Sequence, residues 1–210
     1  TSGAFPGMET GDPDLYKAFC WRFFNLIRKN GRMGVVLPRS AFSSLGSAPF
    51  RKELYRSSTF TDMTFGKNTG GWIFDEVTPQ YSVSFVSLQK TLPSENSVIP
   101  LRGPFNSLSS YNNAMHNNPT LIPLNVIIDG SDAATIPTLP THDINNALAA
   151  MAQMRTHPRF DVNIPDGFRF RPVRELDATN DKKFMIFEQN PPTESWPVYG
   201  GKSFDIWDCD

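Results

Sequence analysis

The chain has 210 residues, of which 39% are hydrophobic and 20% are charged, and its formal net charge is −1 at pH 7. These values are typical of one large globular domain or two modest ones, and they argue against a uniformly basic nucleic-acid-binding protein while allowing a local basic face. The two cysteines are far apart and none of the three histidines lies near a second ligand, which argues against a zinc site or a His-based triad. No apolar run reaches the roughly 20 residues that a membrane span needs. The first residues resemble no signal peptide. Because the cysteines show no pairing pattern, we expect a protein of the reducing cytoplasm.

The first helix is predicted to begin at Asp12, a good N-cap that precedes Pro13, and to end at Asn30-Gly31. Apolar residues at i, i+3, i+4 and i+7 spacing predict its buried face. The residues assigned to that face are Leu15, Ala18, Phe19, Arg22, Phe23, Leu26 and Ile27. Cys20, in the same helix, is expected to be a buried small hydrophobe.

Three strands and a second helix are predicted over the rest of the first ninety residues. "RMGVVLP" is a continuous apolar run, typical of a strand with helices on both faces of its sheet. A helix follows from Ser47 to about Tyr55, then the strand "TFTDMTF", a glycine-rich loop and the strand "YSVSFVSLQK". This order predicts half of a doubly wound sheet.

The composition changes after Lys90, where proline, serine and asparagine become frequent. This change predicts a linker of irregular structure over 93–140. A helix capped by Thr141 and a strand "KKFMIF" are predicted in the remaining part, which also carries an arginine- and phenylalanine-rich segment. We therefore divide the chain into 1–92, 93–140 and 141–210.

The segment "DLYKAFCWRFFNLIRKNGRMGVVLPRSAF", with the later "FRKELY" and "GGWIFDEVTPQYSVSFVSLQK", resembles the gamma-ordered N6-adenine DNA methyltransferases of type IIG-like restriction-modification or phage-defence systems. The resemblance covers about residues 12 to 90. The tail "RPVRELDATNDKKFMIF" resembles the entry into the target-recognition region of such enzymes. The resemblance implies an α/β fold: the C-terminal half of a Rossmann-like S-adenosylmethionine-dependent methyltransferase sheet, followed by an irregular α+β segment.

The resemblance also assigns roles to residues near the cofactor and the base. It implies that Phe19 packs against the adenine ring of S-adenosylmethionine and that Asp14 and Tyr16 line the same pocket; the alternative is that Phe19 belongs to the helix core. It implies that Phe74 stacks on an adenine flipped out of the duplex. For Phe74 the alternative is a core position under the loop, and Trp72 is the alternative wall residue.

Basic residues are the candidate DNA contacts, because arginine and lysine neutralise phosphates. Arg39, after the first strand, is expected either to meet a phosphate or to be a solvated loop residue. Arg171, Arg174, Lys182 and Lys183 are expected to contact the DNA backbone, with a solvated loop anchored by phenylalanines as the alternative.

In the family that the chain resembles, the glycine-rich cofactor turn and the Asn-Pro-Pro-aromatic catalytic turn both precede the helix that matches "DLYKAF". The residues before this helix in the chain contain neither turn. Asn190-Pro191-Pro192 is followed by Thr193 and lies after the last predicted strand, so we interpret it as a surface turn. We expect the chain to begin after its own catalytic motif and to be inactive alone. Its exposed sheet edge would then pair with the missing N-terminal half of the same polypeptide or with another copy.

The function implied is transfer of a methyl group from S-adenosylmethionine to adenine N6 in duplex DNA, without a metal. A non-catalytic DNA-binding or scaffolding module with a degenerate methyltransferase half is the second hypothesis. A methyltransferase acting on RNA or protein is the third.

Overall fold

The computed structural model describes residues 3–139, 144–158, 169, 181–187 and 192–196. The chain divides into two compact units, 1–157 and 158–210. The helices and strands of the first unit are α1 Leu15–Leu26, β1 Arg32–Pro38, α2 Ala48–Ser57, β2 Thr59–Lys67, β3 Ser82–Gln89, β4 Val98–Phe105, α3 Leu108–Met115, β5 Thr120–Pro123, α4 Leu124–Ile128 and α5 Ile144–Met154. Short 3₁₀ turns at Arg39–Phe42, Leu45–Ser47 and Thr69–Gly71 complete the described part of this unit.

The five strands form one mixed sheet in the order β1-β3-β2-β4-β5, so the fold is mixed α/β. The three strands predicted in the first ninety residues are confirmed as β1, β2 and β3, and β1, β2 and β4 run in the same direction. A purely parallel sheet, as the doubly wound pattern predicts, is not what forms, because β3 is antiparallel to both of its neighbours. The reason is the connection: a loop without a crossover helix joins β2 to β3, and only antiparallel neighbours can be joined in that way.

The main core lies on one face of the sheet. Val86 and Leu88 alternate with less buried residues along β3, Met63 of β2 pairs with Val86, and Leu101 of β4 pairs with Met63. Helices α1, α2 and α4 contribute to the same apolar cluster, in which Cys20, Phe24, Phe50, Leu54 and Ile127 are buried. Burial raises the pKa of the Cys20 thiol to about 12, which agrees with the predicted role of a small hydrophobe.

The predicted buried face of α1 is wrong: four of its large apolar residues are exposed. These are Leu15, Phe19, Phe23 and Leu26. The buried residues are instead Lys17, Cys20, Trp21 and Phe24. Nearly the whole circumference of this helix is apolar, so periodicity alone does not select one face.

The N-terminal segment 3–13 determines which face of α1 is buried. The Trp21 indole N–H donates to the Pro6 carbonyl (2.8 Å), and the Trp21 ring meets Phe50 of α2 edge to face. The Lys17 ammonium donates to the carbonyls of Thr10 (3.2 Å) and Asp12 (2.8 Å). These contacts turn the Trp21 side of the helix inward. The N-cap is Asp14 rather than Asp12, and its side chain makes no capping hydrogen bond.

The segment predicted as an irregular linker is part of the folded unit. It supplies β4 and β5 to the sheet and forms α3 and α4. Residues 131–139, which we call the strap, follow α4, and Ala134, Ile136 and Leu139 of the strap are buried. Single-sequence composition missed this segment because residues that usually form turns lie inside its strands: Pro100, Gly103 and Pro104 are all in β4.

The predicted helix after Thr141 is confirmed as α5, although Thr141 itself lies outside the described residues. Leu148 and Met151 pack against the core, and the Arg155 guanidinium donates to the Val126 carbonyl at the end of α4. Among the described ranges, no helix has the length and apolarity that a membrane crossing requires.

In the second unit, the predicted strand "KKFMIF" is not formed. Lys182–Phe184 is a single 3₁₀ turn, and the residues up to 187 carry no strand assignment. Phe184, Ile186 and Phe187 are exposed, so this apolar run lacks the sheet contacts within the described residues that would make it a strand. Residues 192–195 form a turn, in which the Ser195 N–H donates to the Pro192 carbonyl (2.9 Å).

Candidate functional site

The carboxyl ends of β1, β2 and β4 meet at one edge of the sheet, which we call the carboxyl edge. Pro38 of β1 pairs with Val83, and Lys67 of β2 pairs with Ser82, so both strands end beside the start of β3. Phe105, at the end of β4, pairs with Gly66. In open α/β sheets, ligands bind outside the carboxyl ends of parallel strands. The loops that leave this edge are therefore the first place to look for a site.

The loop 68–81 leaves β2 at the carboxyl edge and is organised by one buried side chain. The Asn68 amide nitrogen donates to the carbonyls of Phe74 (2.8 Å) and Val77 (2.9 Å). Its amide oxygen accepts from the backbone N–H groups of Ile73 (3.0 Å) and Phe74 (2.9 Å). The Asn68 N–H also donates to the Tyr81 carbonyl at the far end of the loop (2.8 Å). One asparagine thus holds the loop at both ends and in the middle.

The loop buries Ile73 more than Phe74. Trp72 and Ile73 fold back over Gly66, where a β-carbon would lie 2.8 Å from Ile73 Cδ1 and 3.3 Å from Trp72 Cζ2. The Trp72 indole N–H donates a hydrogen bond to the Lys67 carbonyl (2.6 Å). Phe74 remains 40% exposed. Of the two aromatic candidates for a wall residue, Phe74 is the one whose ring is less involved in packing and hydrogen bonding.

An aromatic cluster lies on the other face of the sheet, beside this loop. Tyr111 of α3 contacts the rings of Trp72, Phe85 and Phe105 at centroid separations of 6.0, 6.4 and 5.9 Å. The cluster connects α3 to the base of the loop. Sequence reasoning did not find Tyr111, because it lies in a segment whose composition predicted a linker.

Arg39 lies at the carboxyl edge but is already engaged. Its guanidinium donates to the Ile136 carbonyl of the strap (2.6 Å) and stacks on the Phe65 ring at 4.2 Å. Burial lowers its pKa below the usual value for arginine. The structure thus differs from both sequence expectations, a free phosphate contact and a solvated residue: Arg39 fastens the strap to the sheet.

The start of α1 points toward the same edge. Only residues 27–31 separate the end of α1 from β1, so the helix ends at the amino end of that strand. At the opposite end of the helix, the Tyr16 hydroxyl bonds to the Ser47 hydroxyl (2.8 Å), downstream of β1. Asp14, the N-cap, is exposed there. Tyr16 is therefore a packing residue, whereas Asp14 is exposed at the start of the helix.

Phe19 is not part of the helix core, the alternative weighed for it from sequence. Its ring is 55% exposed and stacks against Phe23 at a centroid separation of 6.1 Å. An exposed carboxylate and an exposed aromatic face are groups that could contact a nucleoside cofactor, so the chemical types of Asp14 and Phe19 fit one.

Besides Arg39, four residues are predicted to contact the DNA backbone, and two of them are described. Lys182 and Lys183 are exposed in the 3₁₀ turn, and the Lys183 ammonium lies 4.8 Å from the Phe184 ring centroid. Arg171 and Arg174 lie outside the described residues. Within the described ranges, no group of three histidine, cysteine or acidic side chains is arranged to hold a metal ion.

Tyr55 and two arginines form a buried polar group beneath the carboxyl edge. Arg51 donates to the carbonyls of Ala133 (2.6 Å) and Ser44 (2.7 Å), so it holds the strap as Arg39 does. Burial raises the pKa of Tyr55 and outweighs the opposite effect of the neighbouring guanidinium groups. Its hydroxyl has no hydrogen-bond partner among the described residues.

No protein-family model matches the chain, and no curated protein matches it at a significant level.

Proposed function

We propose that this chain is the C-terminal part of the catalytic domain of an adenine-N6 DNA methyltransferase, followed by the start of its target-recognition region. The methyl donor would be S-adenosylmethionine, the substrate duplex DNA, and the setting a bacterial restriction-modification or phage-defence system in the cytoplasm. The observation that carries the proposal is the loop 68–81. It leaves the sheet at the edge where substrates bind in α/β folds, and it presents an exposed aromatic side chain, Phe74, on a backbone that hydrogen bonds from Asn68 hold in place.

The chemistry of base methylation explains why such a side chain is useful. An adenine inside a duplex has to be extruded before its amine can react, at a cost of roughly a few kcal/mol. Stacking on an aromatic ring recovers on the order of 1–3 kcal/mol per base. A half-exposed phenylalanine on a backbone held by hydrogen bonds can supply this stacking with little loss of conformational entropy. Phe74 would thus position the base and would not move a proton.

The cofactor-contacting residues in this chain would be Phe19 and Asp14. When bound, S-adenosylmethionine supplies the methyl group. The Phe19 ring would stack on its adenine, and the Asp14 carboxylate would accept hydrogen bonds from its polar groups. Other groups that bind the cofactor and align the amine would come from the missing N-terminal half of the same polypeptide. Lys182 and Lys183, with Arg171 and Arg174, would contact DNA phosphates.

Adenine-methylation mapping of DNA from cells that express the intact protein tests the proposal. We expect N6-methyladenine at one sequence motif. Phe74→Ala should lower methylation of duplex DNA by about tenfold or more, because the stacking contribution is lost, and it should leave cofactor binding in a filter assay unchanged. Phe5→Ala is the matched control, because Phe5 is also 40% exposed but lies in the N-terminal segment.

Equal loss of methyl transfer and cofactor binding in Phe74→Ala would contradict the stacking role. The complete absence of N6-methyladenine, together with retention of the protein on duplex DNA, would support the alternative of a non-catalytic DNA-binding or scaffolding module.

A further inference from the structure

Asn68 differs from the other loop residues in how completely its side chain is used. It is fully buried, and its amide makes four hydrogen bonds, each to the backbone of the loop. Two of these bonds are to Phe74 alone: one to its N–H and one to its carbonyl oxygen. An asparagine amide has two donors and an acceptor oxygen with two lone pairs, so its capacity is filled.

Besides the Asn68 amide, the Phe74 backbone is held by one longer hydrogen bond, which the Val77 N–H donates to the Phe74 carbonyl (3.3 Å). Gly70 and Gly71 both have positive φ, a region that glycine enters at little cost and that leaves the preceding backbone flexible. The residues from Phe74 to Tyr81 are exposed. Trp72 and Ile73 anchor the loop before Phe74. The Asn68 amide hydrogen-bonds to Ile73, which precedes Phe74, and to Val77, which follows it. The position of the Phe74 ring therefore depends on the Asn68 amide.

We propose that Asn68 is a positioning residue for base extrusion, which acts by holding the Phe74 backbone so that its ring is ready to stack on the flipped base. This inference rests on the proposed function of Phe74. In this role Asn68 contacts neither the base nor the cofactor. Its contribution is preorganisation: an ordered loop does not have to be immobilised when the base arrives, so more of the stacking energy remains available for extrusion.

The first experiment measures the Asn68 clamp independently of activity. Hydrogen exchange of the intact protein should show the Ile73 and Phe74 amides protected. Asn68→Ala should speed their exchange by about tenfold or more, since a buried hydrogen bond to each is lost. Asn117→Ala is the matched control, because Asn117 is an exposed asparagine in another loop, and it should leave this exchange unchanged.

A second variant covers the case in which Asn68→Ala does not fold. Asn68→Ser adds no charge and keeps an oxygen that can accept from the loop N–H groups, as serine does more weakly than asparagine in such turns, but it removes the amide that donates to the carbonyls of Phe74 and Val77. It should therefore speed the exchange of the Ile73 and Phe74 amides less than Asn68→Ala does, with a smaller loss of global stability.

The second experiment measures methyl transfer to a duplex that carries the mapped motif, with radiolabelled S-adenosylmethionine. Asn68→Ala should lower kcat/KM for DNA by about as much as Phe74→Ala, roughly tenfold, and leave the Kd of the cofactor unchanged. The double variant should be no worse than Phe74→Ala alone, because residues that act as a unit are not additive. A purely structural asparagine would instead lower activity further when Phe74 is already absent.

The outcomes separate this inference from the proposed function. Faster loop exchange with unchanged methyl transfer would overturn the positioning role and leave the methyltransferase proposal intact. Additive losses of methyl-transfer activity in the double variant would likewise overturn the positioning role and leave the methyltransferase proposal intact. A wild-type protein that methylates no adenine would overturn both.

Discussion

At the scale of single residues, this chain fastens its loops with buried polar side chains that bond to backbone carbonyls. Lys17 holds the N-terminal segment, Arg51 and Arg39 hold the strap, and Asn68 holds the loop 68–81. Burying such groups is costly unless they are hydrogen-bonded, so each one strongly favours the loop conformation that supplies its partners. None of the four roles follows from local periodicity.

Two tyrosines test whether hydrogen bonds of buried polar groups stabilise this fold, because only one of their hydroxyls has a hydrogen-bond partner among the described residues. The Tyr16 hydroxyl bonds to Ser47 (2.8 Å), whereas the buried Tyr55 hydroxyl has no partner in the described part of the chain. Tyr16→Phe should lower the free energy of unfolding by about 0.5–1.5 kcal/mol. Tyr55→Phe should leave it unchanged or raise it by up to about 1 kcal/mol, because a desolvated hydroxyl is removed. Urea denaturation of both variants measures the difference, and a larger loss for Tyr55→Phe would show that its hydroxyl is bonded.

At the scale of elements, α1 has an apolar surface on both sides. The N-terminal segment and α2 cover the side with Trp21 and Phe24, and the side with Phe19 and Phe23 is exposed. A helix with this pattern is predictable as a helix, but its orientation depends on residues distant in sequence. The exposed side is also where the proposed cofactor contact lies, which gives a functional reason for an apolar residue outside the core.

A matched pair of phenylalanines in α1 tests this orientation. Phe24 is 5% exposed and Phe19 is 55% exposed. Phe24→Ala should lower the free energy of unfolding by about 3–5 kcal/mol, because a large cavity is left in the core. Phe19→Ala should lower it by less than about 1 kcal/mol. Denaturant unfolding of the two variants is the measurement, and similar losses would mean that the helix is buried on both sides.

At the scale of the molecule, the sheet and its covering helices extend well beyond the segment that carries the family resemblance. β4 lies parallel to the central strand β2, and the strap is hydrogen-bonded to residues after β1 and in α2. The segment 1–92, which the sequence divides off as a catalytic half, therefore shares its core with residues up to α5.

Truncation tests this shared core. A polypeptide that ends at residue 157 should unfold cooperatively in urea, because it contains the whole first unit. One that ends at residue 92 should not, because β2 loses its β4 neighbour and the core loses Ile99, Leu101, Ile122, Ile127 and Ile136. Circular dichroism across the transition distinguishes the two cases. A cooperative transition of the shorter polypeptide at the same midpoint would show that 1–92 is independent.

The sequence by itself determined the local structure of the first ninety residues. Helices α1 and α2, strands β1 to β3 and the glycine-rich loop form where periodicity, apolar runs and turn residues predict them. These features depend on residues a few positions apart. The family resemblance also singled out Phe74, and its stacking role stays a prediction.

The tertiary structure alone decided which face of α1 is buried, what Arg39 binds, and how Asn68 and Tyr111 contribute to the candidate site. Each of these depends on a partner far along the chain or on the opposite side of a loop. Trp21 packs against Phe50, Arg39 donates a hydrogen bond to the Ile136 carbonyl, and Tyr111 packs against Phe85. Side-chain hydrogen bonds to distant carbonyls leave no periodic pattern in a sequence. Long-range packing therefore selected one arrangement from several that local propensities allow.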